Sequence, residues 1–453
     1  MKVILFSLLA SLFLLMGMVV LPAQSLQRKG TFGIQMEAAD DGQGILVLRV
    51  FDNTTASALD LQAEDLILSV NDQAYTDVYD LVDAIGQWRM GDPIHVQIKR
   101  GKKAKTLRGQ VVGKPLETSE HAEVIYDAVA YDGGQLRSIL ELPKEVQDPP
   151  VVFFLPGVGC GTLDFPYQSN STTKLLVESL VQKGIAVFRV EKPGMGDSQG
   201  TKDCDEMDYP YEVAAMEAGL QQLQQTEGIN KEQIFLYGHS LGVVTAPLVA
   251  TRQQVAGIIA WGGLSTSWYE YSLKILRDQK VLFGQDYAQI ESNLRQSIPF
   301  YYDFYIRQQS PEQLAQNPDY QDLVKHHFQG DLWYGLHHYS YFHTLNEVDL
   351  LTAYKEANCP VLALAGNHDI HAVNTDWARH IAEAVNFYRP HQGEYAIIPQ
   401  TTHHYHTTPS IDMYLDMRQD GRLTADYMAQ HFNWDIADII HKWVERQLEI
   451  ANG

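Results

Sequence analysis

The residues best suited to do chemistry lie in one short segment of the chain. Ser240 stands in Gly238-His239-Ser240-Leu241-Gly242, directly after the apolar run 234–237 and before a run of small residues. A serine on a sharp turn from a buried strand into a helix presents its hydroxyl to a substrate, and the flanking glycines leave room for the backbone. Gly-x-Ser-x-Gly also arises by chance in loops, but the flanking strand and helix patterns favour a nucleophile. Ser240 is therefore the predicted nucleophile.

Ser240 would need two partners from elsewhere in the chain. A serine hydroxyl is a weak nucleophile near neutral pH, so an imidazole must take its proton and a carboxylate must orient that imidazole. Asp369 follows the apolar run 360–365, and His403 and His404 follow the run 396–399. Adjacent loop residues point in different directions, so only one of the two histidines can contact both the hydroxyl and the carboxylate.

The histidines also raise the question of a metal site. The chain contains neither His-Glu-x-x-His nor a cysteine pair at zinc spacing. We therefore predict no metal and no other cofactor. The histidines that prompt the question are His326, His327, His337, His338, His368, His371, His403, His404 and His406.

The bulk composition limits the class of protein. The chain has 453 residues, of which 45% are hydrophobic and 20% charged, so it is globular and long enough for two or three domains. The formal net charge of -22 repels phosphate backbones, which predicts that nucleic acid is not a partner.

The amino terminus predicts export to the periplasm or the cell exterior. Residues 1–25 combine a lysine, a long apolar stretch and the small-x-small site Ala23-Gln24-Ser25, which is typical of a cleaved signal peptide. The apolar stretch is also nearly long enough to remain as a membrane anchor. In an oxidising compartment Cys160 and Cys204 could form a disulfide, with Cys359 left as a buried thiol. Three free thiols are the alternative.

Residues 26–113 combine short strands with one helix and resemble a PDZ domain. The resemblance rests on Gly30-Thr31-Phe32-Gly33-Ile34, on 57–67 and on 70–72. In that family the turn matching Thr31, Phe32, Gly33 and Ile34 offers N–H groups to a peptide's terminal carboxylate, and the peptide adds a strand to the sheet. The resemblance therefore implies either capture of a peptide C-terminus or a plain docking module. Asp60 and Glu64 stand where the family usually has glycine, which predicts an altered turn.

After a polar linker at 114–121, residues 122–453 resemble the α/β-hydrolase fold. A hairpin around Asp132-Gly133-Gly134 comes first, and strands then alternate with helices, which requires a mostly parallel sheet with helices on both faces. Gly-x-Ser-x-Gly follows the third parallel strand, and an aromatic insertion at about 265–349 matches a helical cap. The resemblance is to secreted esterases and serine aminopeptidase-like hydrolases.

The resemblance assigns roles to the candidate residues. The family order of serine, acid and histidine implies Asp369 as the orienting acid, and the Pro-x-x-x-His pattern favours His403 over His404 as the base. The N–H groups of Leu241 and Val158 are implied as the oxyanion donors. Pro156 replaces the family's histidine before Gly157, which leaves the support of that loop open. Glu270 or Asp303 could hold a substrate's amino group.

These observations predict an exported serine hydrolase with an acyl-enzyme mechanism. A small carboxylic ester is the expected substrate. One alternative is a serine peptidase or aminopeptidase that acts on short peptides. The other is a docking scaffold that keeps the hydrolase fold without catalysis.

Overall fold

A computed structural model describes residues 26–40 and 42–452. The predicted signal peptide at 1–25 lies outside the described residues. Within the described ranges, no helix is both long enough and apolar enough to cross a bilayer.

The elements of the amino-terminal part are β1 (Ile34–Ala38), β2 (Ile45–Val50), α1 (Thr55–Ala58), β3 (Leu66–Val70), β4 (Gln73–Ala74), α2 (Val78–Gln87), β5 (Pro93–Arg100) and β6 (Lys103–Gln110). Its six strands form one sheet in the order β1-β2-β3-β5-β6, with β4 beside β3. Leu81 of helix α2 is fully buried and lies in one apolar core with Val47 of β2 and Val96 of β5, so the helix covers one face of the sheet. Among the residues that the structure describes, β1 pairs with β2 alone, which leaves its other edge open.

The turn before β3 has a left-handed backbone without glycine. Asp60 and Glu64 have φ angles of 59° and 69°, a region that costs an L-residue roughly 1–2 kcal/mol. Arg100 fixes this turn, because its guanidinium donates to the Asp60 carbonyl at 2.6 Å and to the Asp65 carboxylate at 2.7 Å. The two residues that replace the family's glycines therefore still adopt the backbone that glycine favours.

The hydrolase part begins with the predicted hairpin and then alternates strands and helices. Asp132 and Gly133 have φ angles of 48° and 77°, as a tight two-residue turn requires. The elements are β7 (Ala122–Tyr131), β8 (Gly134–Pro143), β9 (Val151–Leu155), α3 (Thr172–Gln182), β10 (Ala186–Val190), α4 (Tyr209–Leu223), β11 (Ile234–His239), α5 (Gly242–Ala250) and β12 (Gly257–Trp261).

The insertion after β12 forms a cap that is mostly helical and also contains a three-stranded sheet, which the sequence did not predict. Its strands have only two residues each, too few to show an alternating pattern. The elements are α6 (Trp268–Lys274), a π-helical turn (Ile275–Gln279), α7 (Lys280–Leu282), α8 (Tyr287–Tyr305), α9 (Pro311–Leu314), a 3₁₀ turn (Pro318–Tyr320), α10 (Gln321–His327), β13 (Phe328–Gln329), β14 (Leu332–Trp333), β15 (His337–His338) and α11 (Tyr339–Asn346).

The remaining chain completes the main sheet. Its elements are α12 (Leu350–Glu356), β16 (Val361–Gly366), α13 (Asp376–Tyr388), β17 (Gly393–Ile398), α14 (Ile411–Gln419), α15 (Ala425–Gln430) and α16 (Asp435–Asn452). The eight strands lie in the order β17-β16-β12-β11-β9-β10-β8-β7. All pairs from β17 to β10 are parallel, and β8 and β7 pair in antiparallel fashion.

Helices cover both faces of this sheet, as predicted. Apolar residues of α4, α5 and α13 pack on one face, and those of α3 and α16 pack on the other. Strands such as β9 and β12 are buried along their whole length, which explains their continuous apolar sequences. The carboxyl ends of the parallel strands therefore meet at one edge, where a ligand site is expected.

Buried ion pairs join the two parts of the chain. Arg28 Nη1 lies 2.6 Å from Asp164 Oδ2 and 2.7 Å from Asp197 Oδ2. Glu117, within the predicted linker, is buried and pairs with Arg189 at 2.9 Å. The predicted linker is thus fixed against the hydrolase body.

Candidate active site

Ser240 occupies the turn between β11 and α5 with a φ of 56°. Its N–H donates to the Trp261 carbonyl of the neighbouring strand at 2.9 Å. A β-carbon at Gly238 would lie 2.2 Å from the Gly242 carbonyl oxygen, and one at Gly242 would lie 2.2 Å from that of Leu155. Both glycines of the motif are therefore required by close backbone approach, and the strained turn holds the serine at the end of the strand.

Asp369 and His403 form a buried pair. The two residues lie far apart in the chain, yet His403 Nδ1 is 2.7 Å from Asp369 Oδ2. Asp369 Oδ1 accepts from the N–H groups of His371 and Ala372, both at 2.8 Å. Burial opposes ionisation of Asp369, but His403 and these hydrogen bonds outweigh it and lower the pKa of the carboxyl group. Asp369 is therefore a carboxylate that can orient an imidazole.

Two aromatic side chains hold the backbone of His403 through its carbonyl oxygen. Its carbonyl oxygen lies 3.0 Å from Trp261 Nε1 and 3.2 Å from His239 Nε2. Burial, and then the neighbouring His403, lower the pKa of His239 to about 3, so His239 is neutral at pH 7 and donates through Nε2–H. His239, the second residue of the Gly-x-Ser-x-Gly motif, therefore supports the loop that carries the candidate base.

Ser240 and His403 line one small cavity, together with Leu241, Gly262, Gly263, Leu264, Trp268, Tyr271, His371 and Ala372. The cavity volume of about 10 Å³ gives room for about one water molecule. Among the described residues, no hydrogen bond joins Ser240 Oγ to His403. Such hydroxyl–imidazole bonds often form only when substrate binds.

The two candidate oxyanion donors lie beside the serine. Leu241 N–H is at the start of α5, and a β-carbon at Gly157, next to Val158, would lie 3.1 Å from Ser240 Cβ. Across the part of the chain that the structure describes, neither Leu241 N–H nor Val158 N–H has a protein acceptor. Both groups are therefore available to a substrate oxygen.

The sequence and the fold of the chain are similar to those of known hydrolases. A family model described as "Serine aminopeptidase, S33" matches residues 168–409, just over half of the chain, and a PDZ domain model matches residues 30–111. The chain belongs to the serine aminopeptidase S33 family. This assignment and the sheet order confirm the predicted α/β-hydrolase fold with an amino-terminal PDZ domain.

Solved structures similar to this S33 family member include esterases and a peptidase. Est1E from Butyrivibrio proteoclasticus is 16% identical with a TM-score of 0.41 over 67% of this chain and 98% of that one. An acylaminoacyl peptidase from Pyrococcus horikoshii is 13% identical with a TM-score of 0.42 over 79% of this chain and 46% of that one. No curated protein sequence matches the chain.

Gly262 and His371 of this S33 protein line the cavity, although neither was predicted to be part of the active site and His371 was considered only as a metal ligand. Gly262 has a φ of 60°, and a β-carbon there would lie 3.0 Å from Asp369 Oδ2 and 3.1 Å from His403 Nδ1. His371 lies with its ring centre 5.0 Å from that of His403, and burial followed by His403 lowers its pKa to about 4. Gly262 follows β12 and His371 follows Asp369 by two residues, so proximity to strand ends was the available signal.

The cap supplies aromatic side chains and no carboxylate to the cavity. Trp268 and Tyr271 of α6 line it, whereas Glu270 points elsewhere and accepts from Thr266. Asp303 accepts from the Tyr320 hydroxyl at 2.9 Å and is likewise absent from the lining. Among the described lining residues there is no free carboxylate for a substrate's amino group.

A disulfide supports the loop that carries Val158. Cys160 and Cys204 are bonded, with Cα atoms 5.8 Å apart, and Cys359 is a buried free thiol. Of the two interpretations of the cysteines, the bridged one is confirmed. His337 of the cap adds to this support, since its Nε2 accepts from Gly159 N–H at 3.1 Å and its Nδ1 donates to the Cys204 carbonyl at 2.8 Å. Burial lowers the pKa of His337 to about 4, so the neutral ring can do both.

The double variant Cys160→Ser/Cys204→Ser is expected to lose stability. The disulfide closes a loop with a sequence separation of 44, for which the chain-entropy model gives about 4 kcal/mol of unfolding free energy. Urea unfolding under oxidising conditions measures this loss. Cys359→Ala is the control, expected to cost only about 1 kcal/mol. Equal losses in both variants would contradict a stabilising bridge.

In the turn from Thr31 to Ile34 of the PDZ domain, some of the backbone N–H groups that were predicted to bind a peptide carboxylate are free and others are not. Thr31 N–H is used, because it donates to the Val112 carbonyl at 2.9 Å. Among the described residues, Phe32 N–H and Gly33 N–H have no acceptor, and Ile34 begins the open edge strand β1. Two free N–H groups therefore lie next to an edge that a peptide strand could extend.

Proposed function

We propose that the chain is a serine hydrolase that forms an acyl-Ser240 intermediate and acts on carboxylic esters with small acyl groups. The observation that carries the proposal is the Asp369–His403 pair, 2.7 Å apart, beside a cavity that Ser240 also lines. A carboxylate-oriented imidazole next to a serine on a strained turn is the arrangement that activates a hydroxyl.

The reaction follows from these positions. Ser240 Oγ attacks the ester carbonyl while His403 Nε2 takes the hydroxyl proton and Asp369 stabilises the resulting imidazolium. The N–H groups of Val158 and Leu241 stabilise the tetrahedral oxyanion. His403 then protonates the leaving alcohol, and a water molecule activated by His403 hydrolyses the acyl-enzyme to release the acid.

The cavity wall favours esters over peptides with a free amino terminus. A substrate of an aminopeptidase carries an ammonium group, which needs a carboxylate or several acceptors when it is buried. The described wall offers Trp268, Tyr271 and the neutral His371 instead. Trp268 and Tyr271 also occupy space beside Ser240 that a long acyl chain would need, which favours a short one.

The family assignment keeps peptide cleavage as the second candidate function. The PDZ domain, with free N–H groups at Phe32 and Gly33, could present peptide C-termini. We propose that it binds such termini. A non-catalytic scaffold is the third candidate and predicts no turnover of any acyl substrate.

We also propose that the protein is exported to the periplasm or the cell exterior. The apolar sequence of residues 1–25 and the Cys160–Cys204 disulfide support this location. If residues 1–25 are not cleaved, the protein would be anchored to the membrane. Cell fractionation with amino-terminal sequencing of the mature protein distinguishes the two forms.

A substrate panel tests the proposed function. We expect turnover of nitrophenyl acetate, with kcat/KM lower by about tenfold or more for the octanoate ester, since large differences in fit change kcat/KM by this order. Alanine nitroanilide and its N-acetyl form should be poor substrates. Preferred cleavage of the free-amine anilide would instead support an aminopeptidase, and preference for octanoate would contradict a small acyl pocket.

Neighbouring residues of α6 provide a matched pair of variants for this panel. Trp268→Ala should enlarge the cavity and shift the preference toward longer acyl chains. Tyr269→Ala removes an aromatic ring that contacts Tyr302 and Tyr305 within the cap and does not line the cavity. The wild-type preference should persist in that variant.

A further inference from the structure

A buried lysine contacts the loop of residues 156–161, here named the Val158 loop. Lys192 follows strand β10, and its Nζ donates to the Gly157 carbonyl oxygen at 2.8 Å. The same Nζ lies 2.9 Å from Glu212 Oε1 of helix α4, and both side chains are 1% exposed. The ammonium therefore bridges the main body and the loop next to Ser240.

The burial of this ion pair is unexpected on grounds of stability alone. Removing two charges from water costs several kcal/mol per ion, and apolar residues of similar volume often serve as well or better. In this pair Lys192 Nζ and both carboxylate oxygens of Glu212 have partners, since Glu212 Oε2 accepts from the Tyr341 hydroxyl at 2.7 Å. What an apolar pair could not supply is the bond to the Gly157 carbonyl.

That bond fixes the direction of the Val158 N–H group. The Gly157–Val158 peptide is trans, as are all peptide bonds among the described residues. In a planar trans peptide the C=O and the following N–H point in opposite directions. Lys192 holds the carbonyl, so the N–H of Val158 must point away from Lys192. A charge-assisted bond to the carbonyl also polarises the peptide and strengthens this N–H as a donor.

Other contacts fix the neighbouring residues of the Val158 loop, whereas the Gly157–Val158 peptide is fixed by Lys192. Gly157 packs against Ser240, with a would-be β-carbon 3.1 Å from Ser240 Cβ. Gly159 N–H is held by His337, and Cys160 is held by the disulfide. Among the described residues, the bond from Lys192 is the only hydrogen bond to the Gly157 carbonyl or the Val158 N–H, so its loss would free this peptide to rotate. A rotated peptide would direct the Gly157 carbonyl dipole toward the position where the oxyanion develops.

We propose that Lys192, paired with Glu212, is a positioning residue that aims and polarises the Val158 N–H toward the oxyanion. This inference rests on the proposed acyl-enzyme function. The disulfide and His337 support the rest of the loop, and Lys192, just after strand β10, supports the Gly157–Val158 peptide itself in a chain that has Pro156 before Gly157.

The main test is the double variant Lys192→Met/Glu212→Gln. Both charges are removed together, because Lys192→Met alone would leave Glu212 ionised and unpaired in the interior. Losing one oxyanion donor lowers kcat by about 10² to 10³, and we expect a loss of about 10² here with KM within about threefold of wild type. Rates are divided by the number of sites that a fluorophosphonate titrates, so that misfolded protein does not enter the comparison.

Two further measurements separate positioning from a merely structural role. A boronic acid inhibitor forms a tetrahedral serine adduct, so its affinity should fall in parallel with kcat/KM. The variant Lys192→Gln/Glu212→Gln keeps an uncharged donor for the Gly157 carbonyl. Its kcat should therefore lie between that of Lys192→Met/Glu212→Gln and that of wild type. Lys174→Met is the control, because Lys174 is also buried, with 3% of its side chain exposed, and pairs with Glu117 and Glu141. Among the described residues it has no bond to the Val158 loop. Its kcat per titrated site should stay near that of wild type.

The outcomes distinguish this inference from the proposed function. Wild-type kcat and boronate affinity per titrated site in the Met/Gln double variant would overturn the role of Lys192. Equal losses of kcat in Lys192→Met/Glu212→Gln and Lys192→Gln/Glu212→Gln would also overturn it. The same loss of kcat in Lys174→Met would do so too. A folded wild-type protein that neither reacts with fluorophosphonate nor turns over esters would instead overturn the acyl-enzyme proposal itself.

Discussion

Replacing Ser240 with alanine is expected to lower kcat by about 10⁶-fold on nitrophenyl acetate, the order found when a serine nucleophile is removed. The strained turn at φ 56° places this residue beside the cavity and the free N–H groups of Leu241 and Val158. The residual rate should reflect only binding and the oxyanion donors. Steady-state kinetics on purified, folded protein measures the loss.

Ser265 offers a control of the same chemistry. Its Oγ is 3.3 Å from His380 Nδ1, so it forms a second serine–histidine contact, but it does not line the Ser240 cavity. Ser265→Ala should retain kcat within about threefold, as expected for a change outside the reacting groups. If Ser265→Ala removed activity and Ser240→Ala retained it, the nucleophile would be misassigned.

The second large effect is expected at His403. His403→Ala should lower kcat by about 10⁴- to 10⁶-fold, because the acyl-transfer residues act as a unit. Its Nδ1 is bonded to Asp369, which leaves Nε2 for proton transfer to and from the reacting oxygen atoms. Acylation by fluorophosphonate and the rate of ester turnover should both fall.

The adjacent histidine is the matched control for this change. His404 is exposed, has its ring centre 5.2 Å from that of His403, and makes no bond to Asp369 among the described residues. His404→Ala should keep kcat within about threefold, as for other surface changes. The reverse pattern would assign the base to His404 and would mean that the Asp369–His403 pair is structural.

Local patterns allowed the main elements to be predicted. The apolar run before Ser240, the glycines around it and the small residues after it gave a strand, a turn and a helix, which the structure confirms as β11 and α5. The hairpin at Asp132-Gly133 followed from turn chemistry. Asp369 and His403 could be nominated because each follows a strand, and parallel strands bring their carboxyl ends together.

Contacts between distant segments could not be predicted. Lys192 and Gly157 are 35 residues apart, and nothing local in either segment indicates their bond. The same holds for His337, which reaches Gly159 from the cap across 178 residues. The two-residue cap strands were too short for a periodic signal. At Asp60 and Glu64 the substitution of glycine suggested a changed turn, but tertiary contacts with Arg100 stabilise a left-handed backbone there.

In the proposed reaction one hydroxyl, that of Ser240, becomes covalently acylated with the help of His403 and Asp369. Peptide mapping by mass spectrometry after reaction with a fluorophosphonate tests it directly on the folded wild-type protein. We expect one adduct per chain, located on Ser240, and none in the Ser240→Ala variant. An adduct on another residue, or folded protein that stays unlabelled, would contradict the account.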